Sequence, residues 1–343
     1  MKIALFVTAM PFIRGGTEVL VEGLKAQLEK RGHITKIFRF PVSEDHETGI
    51  FLSALSCRLL DFDDYDVLIS FKWPAYLAVH KQKVIWMFHQ FRQAYDLFGT
   101  PFGLDDDDTG NAIREMVIQT DRVALSNTDN MFALSNAAKR LKEYSGLSAE
   151  ILYTPLENAQ EYHFASIGDH IYCASRIDRL KRQLLAVQAM RYVKSGARLV
   201  LDGKCSDDRL LEEIRAYIDK HGLGGKVTVG AEFVSEETKI ERYANCLAGI
   251  YMPVDEDSPG IVTFEIMHSH KTLITASDSG GVTDFVKNGD TAFVVEPTPQ
   301  AVAEKIDHLF NNKEVAKQMG EDAYKYVASK NIDWDDTIGR LLR

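Results

Sequence analysis

The chain has 343 residues and a formal net charge of −10. At roughly 150 residues per domain, this length predicts two domains. The 45% hydrophobic and 26% charged residues exclude a disordered, collagen-like or coiled-coil chain, and the acidic balance argues against nucleic acid as a partner.

Six short apolar runs alternate with helical patterns in the first half of the chain. The pattern at 17–30 spaces its apolar residues for one helix face, and Gly32 follows as a C-terminal glycine. Continuously apolar strands that alternate with helices predict a parallel sheet covered on both faces. The predicted strands are 2–8, 35–40, 66–71, 83–88, 131–135 and 149–153.

The second half repeats this alternation after 154–169, where the periodicity is lost. From Pro299 the chain reads as mostly helical. The predicted strands are 170–175, 197–203, 226–230, 248–253, 272–276 and 291–295, with helical stretches at 182–193, 208–221 and 236–245.

Two such series predict an α/β protein with two doubly wound, Rossmann-like domains. We expect the first at 1–160, the second at 161–328, and a C-terminal helix at 329–343 that packs back toward the first domain. Ligands of doubly wound sheets bind beyond the carboxyl ends of the strands. The two domains are therefore expected to face each other across a cleft, lined by the residues that follow each strand.

Cysteine usage and hydropathy predict a soluble cytoplasmic protein. The four cysteines lie far apart without a C-x-x-C pair, as expected of reduced thiols. No apolar run approaches the roughly 18–20 residues of a spanning helix. The apolar residues 3–7 are too few for a signal sequence and fit a first buried strand.

Gly15 and Gly16 follow the first predicted strand and open a helix. Paired glycines let backbone amides approach an anion at a helix N-terminus, but they are also common in flexible turns. No G-x-G-x-x-G follows a strand and G-x-x-x-x-G-K-[ST] is absent, which disfavours a dinucleotide dehydrogenase and a P-loop NTPase.

Four cations occur within 176–182, directly after the first strand of the second domain. Arg176 offers a planar fork that suits phosphate, and Lys181 offers a compact charge. The alternative is a solvated basic loop.

An acidic segment at 255–265 follows strand 248–253 and opens another helix. Carboxylates such as Asp257 and Glu265 accept hydrogen bonds from sugar hydroxyls, and the amides of 260–262 can bind phosphate. Helix capping is the equal alternative for this segment.

Taken in order, the paired glycines, R-x4-K and acid-x7-E motifs resemble the GT4-type retaining glycosyltransferases, which have the GT-B fold. The resemblance extends over nearly the whole chain. YTPLE at 153–157 is similar to the segment that leads into the family's second domain, and 265–297 follows the family pattern ahead of its last helices.

The resemblance implies a role for each matching residue. Arg176 and Lys181 neutralise the donor's diphosphate, Glu265 holds the ribose, and Asp257 stands where the family usually has glutamate. The amides of Gly260, Ile261 and Val262 bind phosphate and sugar, and Gly15 and Gly16 close over the diphosphate.

Three residues of the first domain complete the candidate site. His89 ends strand 83–88 where the family commonly has a histidine close to the donor sugar, although a lone histidine is more often structural. Arg92 and Tyr95 lie just beyond it and are candidate acceptor contacts, with ordinary surface residues as the alternative.

The implied function is transfer of a hexose from a UDP- or GDP-sugar to a glycan or lipid-linked acceptor, without a cofactor or metal. Peripheral contact with the inner membrane face is a further expectation. The alternatives are a GT-B nucleotide-sugar epimerase or phosphorylase and a non-catalytic nucleotide-sugar-binding protein. A dehydrogenase is a third alternative, which the missing glycine fingerprint disfavours.

Overall fold

A computed structural model describes residues 1–9, 16–44, 46–205 and 207–343. Contacts between residues divide the chain into two units. The first unit comprises Met1–Pro155 with Asp333–Arg343, and the second comprises Leu156–Ile332. The sequence placed the division after residue 160 and the start of the C-terminal segment at 329.

The first unit is built on a six-stranded parallel sheet in the order β2-β1-β3-β4-β5-β6. Its strands are β1 (Lys2–Ala9), β2 (Ile34–Pro41), β3 (Val67–Lys72), β4 (Lys83–His89), β5 (Asn130–Ala133) and β6 (Glu150–Ile151), and its first four helices are α1 (Gly16–Lys30), α2 (Glu47–Leu59), α3 (Asp108–Ser126) and α4 (Ser135–Ser145).

The second unit has its own six-stranded parallel sheet, in the order β12-β11-β10-β7-β8-β9. Its strands are β7 (His170–Ala174), β8 (Arg198–Asp202), β9 (Val227–Gly230), β10 (Ala248–Ile250), β11 (Leu273–Ala276) and β12 (Ala292–Val295), and its helices are α5 (Gln183–Ala189), α6 (Asp208–Lys220), α7 (Glu236–Ala244), α8 (Ile261–His268), α9 (Gly281–Phe285), α10 (Pro299–Asn311) and α11 (Lys313–Ala328).

The last helix, α12 (Trp334–Leu341), belongs to the first unit. Asp335 forms an ion pair with Arg31 just after α1. Arg340 Nη2 donates to Glu150 Oε1 at 2.6 Å and to the carbonyl of Ile151 at 2.7 Å. These contacts attach α12 to the segment after α1 and to β6, the edge strand of the first sheet.

The predicted α/β class with parallel sheets is confirmed, and each predicted apolar run overlaps an observed strand. The reason is burial, since a parallel strand covered on both faces is apolar along its length. The run 248–253 forms a strand only over Ala248–Ile250. Beyond it, the carbonyls of Met252 and Pro253 accept from an arginine side chain instead of a neighbouring strand.

The strand order of the second sheet reverses between β7 and β10. The chain leaves these neighbouring strands in opposite directions, which opens a crevice at their carboxyl ends. The loops that begin there contain Arg176, Lys181 and the acidic segment 255–260. The fold therefore brings the two charged motifs of the second half to one edge of one sheet.

The longest helix of the described residues is α3, with 19 residues. No helix in the described ranges combines the length and the apolar character that crossing a bilayer requires.

Two helical glycines give a matched test of packing. A Cβ on Gly320 in α11 would lie 2.1 Å from the carbonyl oxygen of His270, whereas a Cβ on Gly339 in α12 would meet no atom of the described residues within 4 Å. We expect Gly320→Ala to lower the free energy of unfolding by about 1–3 kcal/mol, because backbone must move.

Gly339→Ala is the control, and it should raise the free energy of unfolding by about 0.5–1 kcal/mol through reduced backbone entropy. Urea denaturation of both variants measures the difference. Equal effects of the two substitutions would contradict the described contact between α11 and His270.

Candidate functional site

The loop after β7 carries the first two cations of the site. Asp178 caps the short 3-10 helix Arg179–Lys181, and its Oδ1 accepts from the amide of Leu180 at 2.9 Å. The Arg176 side chain is 49% exposed and its Nη2 lies 3.5 Å from Asp178 Oδ2. Arg176 therefore presents its guanidinium at the surface of the loop.

Lys181, in contrast, points into the crevice between β7 and β10. Its mostly buried Nζ donates to the hydroxyl of Tyr251 at 2.9 Å and forms an ion pair with Glu256. Burial by itself would lower the pKa of Lys181, but Tyr251 and Glu256 raise it by more, so the pKa lies above the usual lysine value. Lys181 is a fixed positive charge.

The N-terminus of α8 reaches the same point through Tyr251. Gly260, the N-cap residue, has φ 72°, and a Cβ there would lie 2.9 Å from the Tyr251 hydroxyl oxygen. Ile261 and Val262 form the first turn of α8, where amides have no acceptor within the helix. The Tyr251 hydroxyl thus lies between the Lys181 ammonium and the positive end of a helix, an arrangement that suits a polyanion.

The carboxylate that pairs with Lys181 is not the one that the motif spacing selects. The x7 spacing to Glu265 selects Asp257, which is buried. Its neighbour Glu256 pairs with Lys181 and lies 3.4 Å from the Tyr251 hydroxyl. Adjacent acids give no sequence signal for which one faces the lysine, because backbone direction decides it.

Glu265 is buried on α8, and its carboxylate is held from one side. Oε1 accepts from Lys239 Nζ at 2.6 Å, while Oε2 has no hydrogen-bond partner in the part of the chain described. The nearby Tyr162 hydroxyl donates to Glu236 at 2.7 Å, and its single proton is thereby used. Burial raises the pKa of Glu265, and the Lys239 charge opposes this.

Only the second glycine of the paired-glycine motif lies within the described residues. Gly15 lies outside the described residues. Gly16 begins α1, and among the described residues a Cβ there would meet no atom within 4 Å. The predicted approach of Gly16 to a diphosphate stays a prediction.

His89 lies at the end of β4 in the first unit. Its Nδ1 is 2.9 Å from the carbonyl oxygen of Gln90. Burial lowers the pKa of His89 to about 4, and the charge of Lys72 adds to the shift. The imidazole is therefore neutral at physiological pH, so it can exchange hydrogen bonds with a hydroxyl without carrying charge.

Arg92 and Tyr95 both make internal polar contacts. Arg92 Nε donates to Asp96 Oδ2 at 2.8 Å. The buried Tyr95 hydroxyl donates to Asp121 Oδ2 at 2.8 Å, as does that of Tyr76. The structure thus assigns these side chains to a polar cluster of the first unit, and their acceptor contacts stay predictions.

Within the described ranges, no group of three or more histidine, cysteine, aspartate or glutamate side chains is arranged to hold a metal ion. Metal-independent activity stays a prediction.

Residues 159–326 match the family model described as glycosyl transferases group 1. These residues are just under half of the chain and nearly the whole of the second unit, which is therefore similar to the domain of group 1 glycosyltransferases.

Two curated relatives are also named as glycosyltransferases. An uncharacterized glycosyltransferase of Methanocaldococcus jannaschii is 25% identical over 228 residues, which are 63% of this chain and 59% of the relative. The capsular polysaccharide biosynthesis glycosyltransferase CapM of Staphylococcus aureus is 32% identical over 88 residues, 24% of this chain and 23% of the relative. The matches thus span less than two thirds of either relative.

Solved structures match both units of the fold. Sucrose-phosphate synthase from Thermosynechococcus elongatus has a TM-score of 0.76 at 16% identity and covers 98% of both chains. Anabaena HepE in complex with UDP-glucose has a TM-score of 0.68 at 14% identity, also with 98% of both chains covered. The predicted GT-B fold is thereby confirmed.

The buried Asp121 carboxyl predicts a pH dependence of stability. Burial raises its pKa to about 7 despite hydrogen bonds from Tyr95 and Tyr76, against an ordinary value of 3.8. The folded state therefore binds this proton more tightly, and the stabilisation present below about pH 4 is lost as pH rises through about 7. Asp121→Asn should gain up to about 4 kcal/mol of unfolding free energy relative to wild type between pH 4 and 8.

Denaturant unfolding of both proteins across this pH range gives the difference, with the exposed Asp219→Asn as a control for the change in net charge. A constant difference between Asp121→Asn and wild type would show that Asp121 does not keep its proton in the folded state.

Proposed function

We propose that the protein is a retaining glycosyltransferase of the GT4 type. It transfers a hexose from a nucleoside-diphosphate sugar to a glycan or lipid-linked acceptor. The donor binds the second unit, and its diphosphate lies against Arg176, Lys181 and the first turn of α8.

One observation carries the proposal, namely the meeting of Lys181 with the N-terminus of α8 across the Tyr251 hydroxyl. A partly buried ammonium and helix amides without a partner in the helix, at one point, favour a multiply charged oxyanion. Their place at the strand-order reversal of the sheet is where doubly wound domains bind ligands.

These residues act on the leaving group. When the bond between the anomeric carbon and the diphosphate oxygen breaks, the electron pair stays on that oxygen and positive charge develops on the sugar. Lys181, already charged and held in place, stabilises the departing oxyanion without reorganisation. Arg176, whose side chain is half exposed, adds a second cation from the same loop.

Lys181 must change partners during this cycle. In the ligand-free protein its charge is balanced by Glu256. An arriving diphosphate brings stronger negative charge to the ammonium, which frees the Glu256 carboxylate to accept a donor-sugar hydroxyl. Glu256 is thus a second candidate, besides Asp257, for the acid at the sugar.

Glu265 is proposed to hold the nucleotide ribose. Its unpartnered Oε2 can accept a hydroxyl, while Lys239 balances its charge. The complex of Anabaena HepE with UDP-glucose supports a nucleotide-sugar donor, and the name of CapM supports a polysaccharide product.

The first unit is proposed to bind the acceptor, with His89 near the donor sugar and Arg92 and Tyr95 toward the acceptor. A cytoplasmic location with peripheral contact at the inner membrane face completes the proposal. We propose that no metal is required, because side-chain cations neutralise the diphosphate.

Replacing either cation should reduce turnover with little effect on folding. We expect Lys181→Ala and Arg176→Ala each to lower kcat at least about a hundredfold, since loss of one preorganised donor to an oxyanion costs about 3–4 kcal/mol elsewhere. The assay is release of nucleoside diphosphate from UDP- and GDP-sugars.

Arg198→Ala is the matched control, because Arg198 pairs with Asp169 at the amino end of β8, and its rate should equal wild type. Near-normal rates for Lys181→Ala would refute the assignment, and release of an epimerised free sugar would indicate an epimerase instead.

Chelation tests the role of metal separately. Dialysis against EDTA should leave the rate unchanged to within about twofold, because Lys181 and Arg176 supply the positive charge that a metal would otherwise provide. Loss of activity that Mg²⁺ or Mn²⁺ restores would contradict the metal-free proposal.

A further inference from the structure

We propose that Arg182 is a positioning residue that braces three loops and so holds Lys181 at the phosphate site. The inference rests on the proposed function and adds a residue to it that does not itself touch the donor.

The Arg182 guanidinium joins the ends of three strands. It follows β7 in the chain, and its Nε and Nη2 donate to the carbonyls of Met252 and Pro253, after β10, each at 2.8 Å. Its Nη1 and Nη2 also donate to the two carboxylate oxygens of Asp278, after β11, at 2.9 and 2.6 Å respectively. A planar fork can make these bonds together, which a lysine ammonium cannot match.

Backbone hydrogen bonds continue the same connection. The amide of Val254 donates to the carbonyl of Leu180 at 2.7 Å, and the amide of Asp255 donates to the carbonyl of Asp278 at 2.8 Å. The loops that supply Lys181 and Glu256 are therefore bonded to each other directly and through Arg182.

The backbone conformation of Arg182 indicates that the contacts of its side chain, and not the backbone preference of arginine, hold this residue in place. Its φ of 54° and ψ of 37° are left-handed, a region that a residue with a Cβ occupies at a cost. Such a conformation persists where the surroundings hold it, and here four hydrogen bonds of the side chain do so. Glycine would adopt it without strain.

Its neighbours in the basic run have different partners. Arg176 faces outward at the loop surface, and Arg179 pairs with Asp207 and Glu213 on the side of α6. Arg182 is mostly buried and bonded to protein. It therefore acts on the diphosphate through Lys181, which it directly follows.

The test is the ratio of two affinities, which does not depend on the fraction of folded protein. Calorimetry measures Kd for UMP and UDP, or for GMP and GDP if the protein prefers guanine. We expect wild type to bind the diphosphate at least tenfold more tightly. In Arg182→Gly, which removes the brace and the strained φ together, this preference should fall at least fivefold while nucleoside monophosphate binding persists.

Three further variants complete the design. Arg179→Ala, in the same loop, should keep the wild-type ratio. Arg182→Lys should give an intermediate ratio. Asp278→Ala removes the carboxylate and leaves the arginine, and it should also lower the preference for the diphosphate. This variant replaces Arg182→Gly as the test if Arg182→Gly folds poorly.

A wild-type ratio in both Arg182→Gly and Asp278→Ala would overturn the inference while leaving the proposed function intact. Failure of wild type to bind any of the four nucleotides would instead overturn the proposed function and, with it, the role of Arg182.

Discussion

The candidate site depends on one partly buried interaction, the ammonium of Lys181 held between the Tyr251 hydroxyl and the Glu256 carboxylate. A lysine is removed from water at a cost, and a paired carboxylate compensates for it. Because Lys181 lies where the strand order reverses, its positive charge faces the carboxyl edge of the sheet. A polyanion that enters this crevice can replace Glu256 as the partner of Lys181.

Much of this arrangement could be predicted from the sequence. Strands buried on both faces appear as apolar runs, so the two sheets were predictable, and so were the loops that follow each strand. Arg176, Lys181 and Glu265 were identifiable because charged residues after buried strands lie at one edge. The approach of Gly260 to Tyr251 required the structure, since these residues lie at opposite ends of the loop between β10 and α8 and the path of that loop brings them together.

The parts that sequence reasoning missed depend on backbone direction. Glu256 and Asp257 are adjacent acids, and the turn at Asp255, with φ 43°, decides which of them faces Lys181. Arg182 looked like one more cation of a basic run, although its partners lie about 70 to 96 residues further along the chain. Tyr95 was predicted as a candidate acceptor contact, with a surface residue as the alternative, but its buried hydroxyl donates to Asp121 inside the first unit. No local pattern encodes such pairings.

The central claim is that Lys181 and the first turn of α8 bind a diphosphate together. A crystal structure of the protein with a bound nucleoside diphosphate tests it most directly. The account predicts phosphate oxygens within hydrogen-bond distance of Lys181 Nζ and of the amides at Ile261 or Val262, with Glu256 released from Lys181. A diphosphate bound elsewhere, with the ion pair of Lys181 and Glu256 intact, would contradict it.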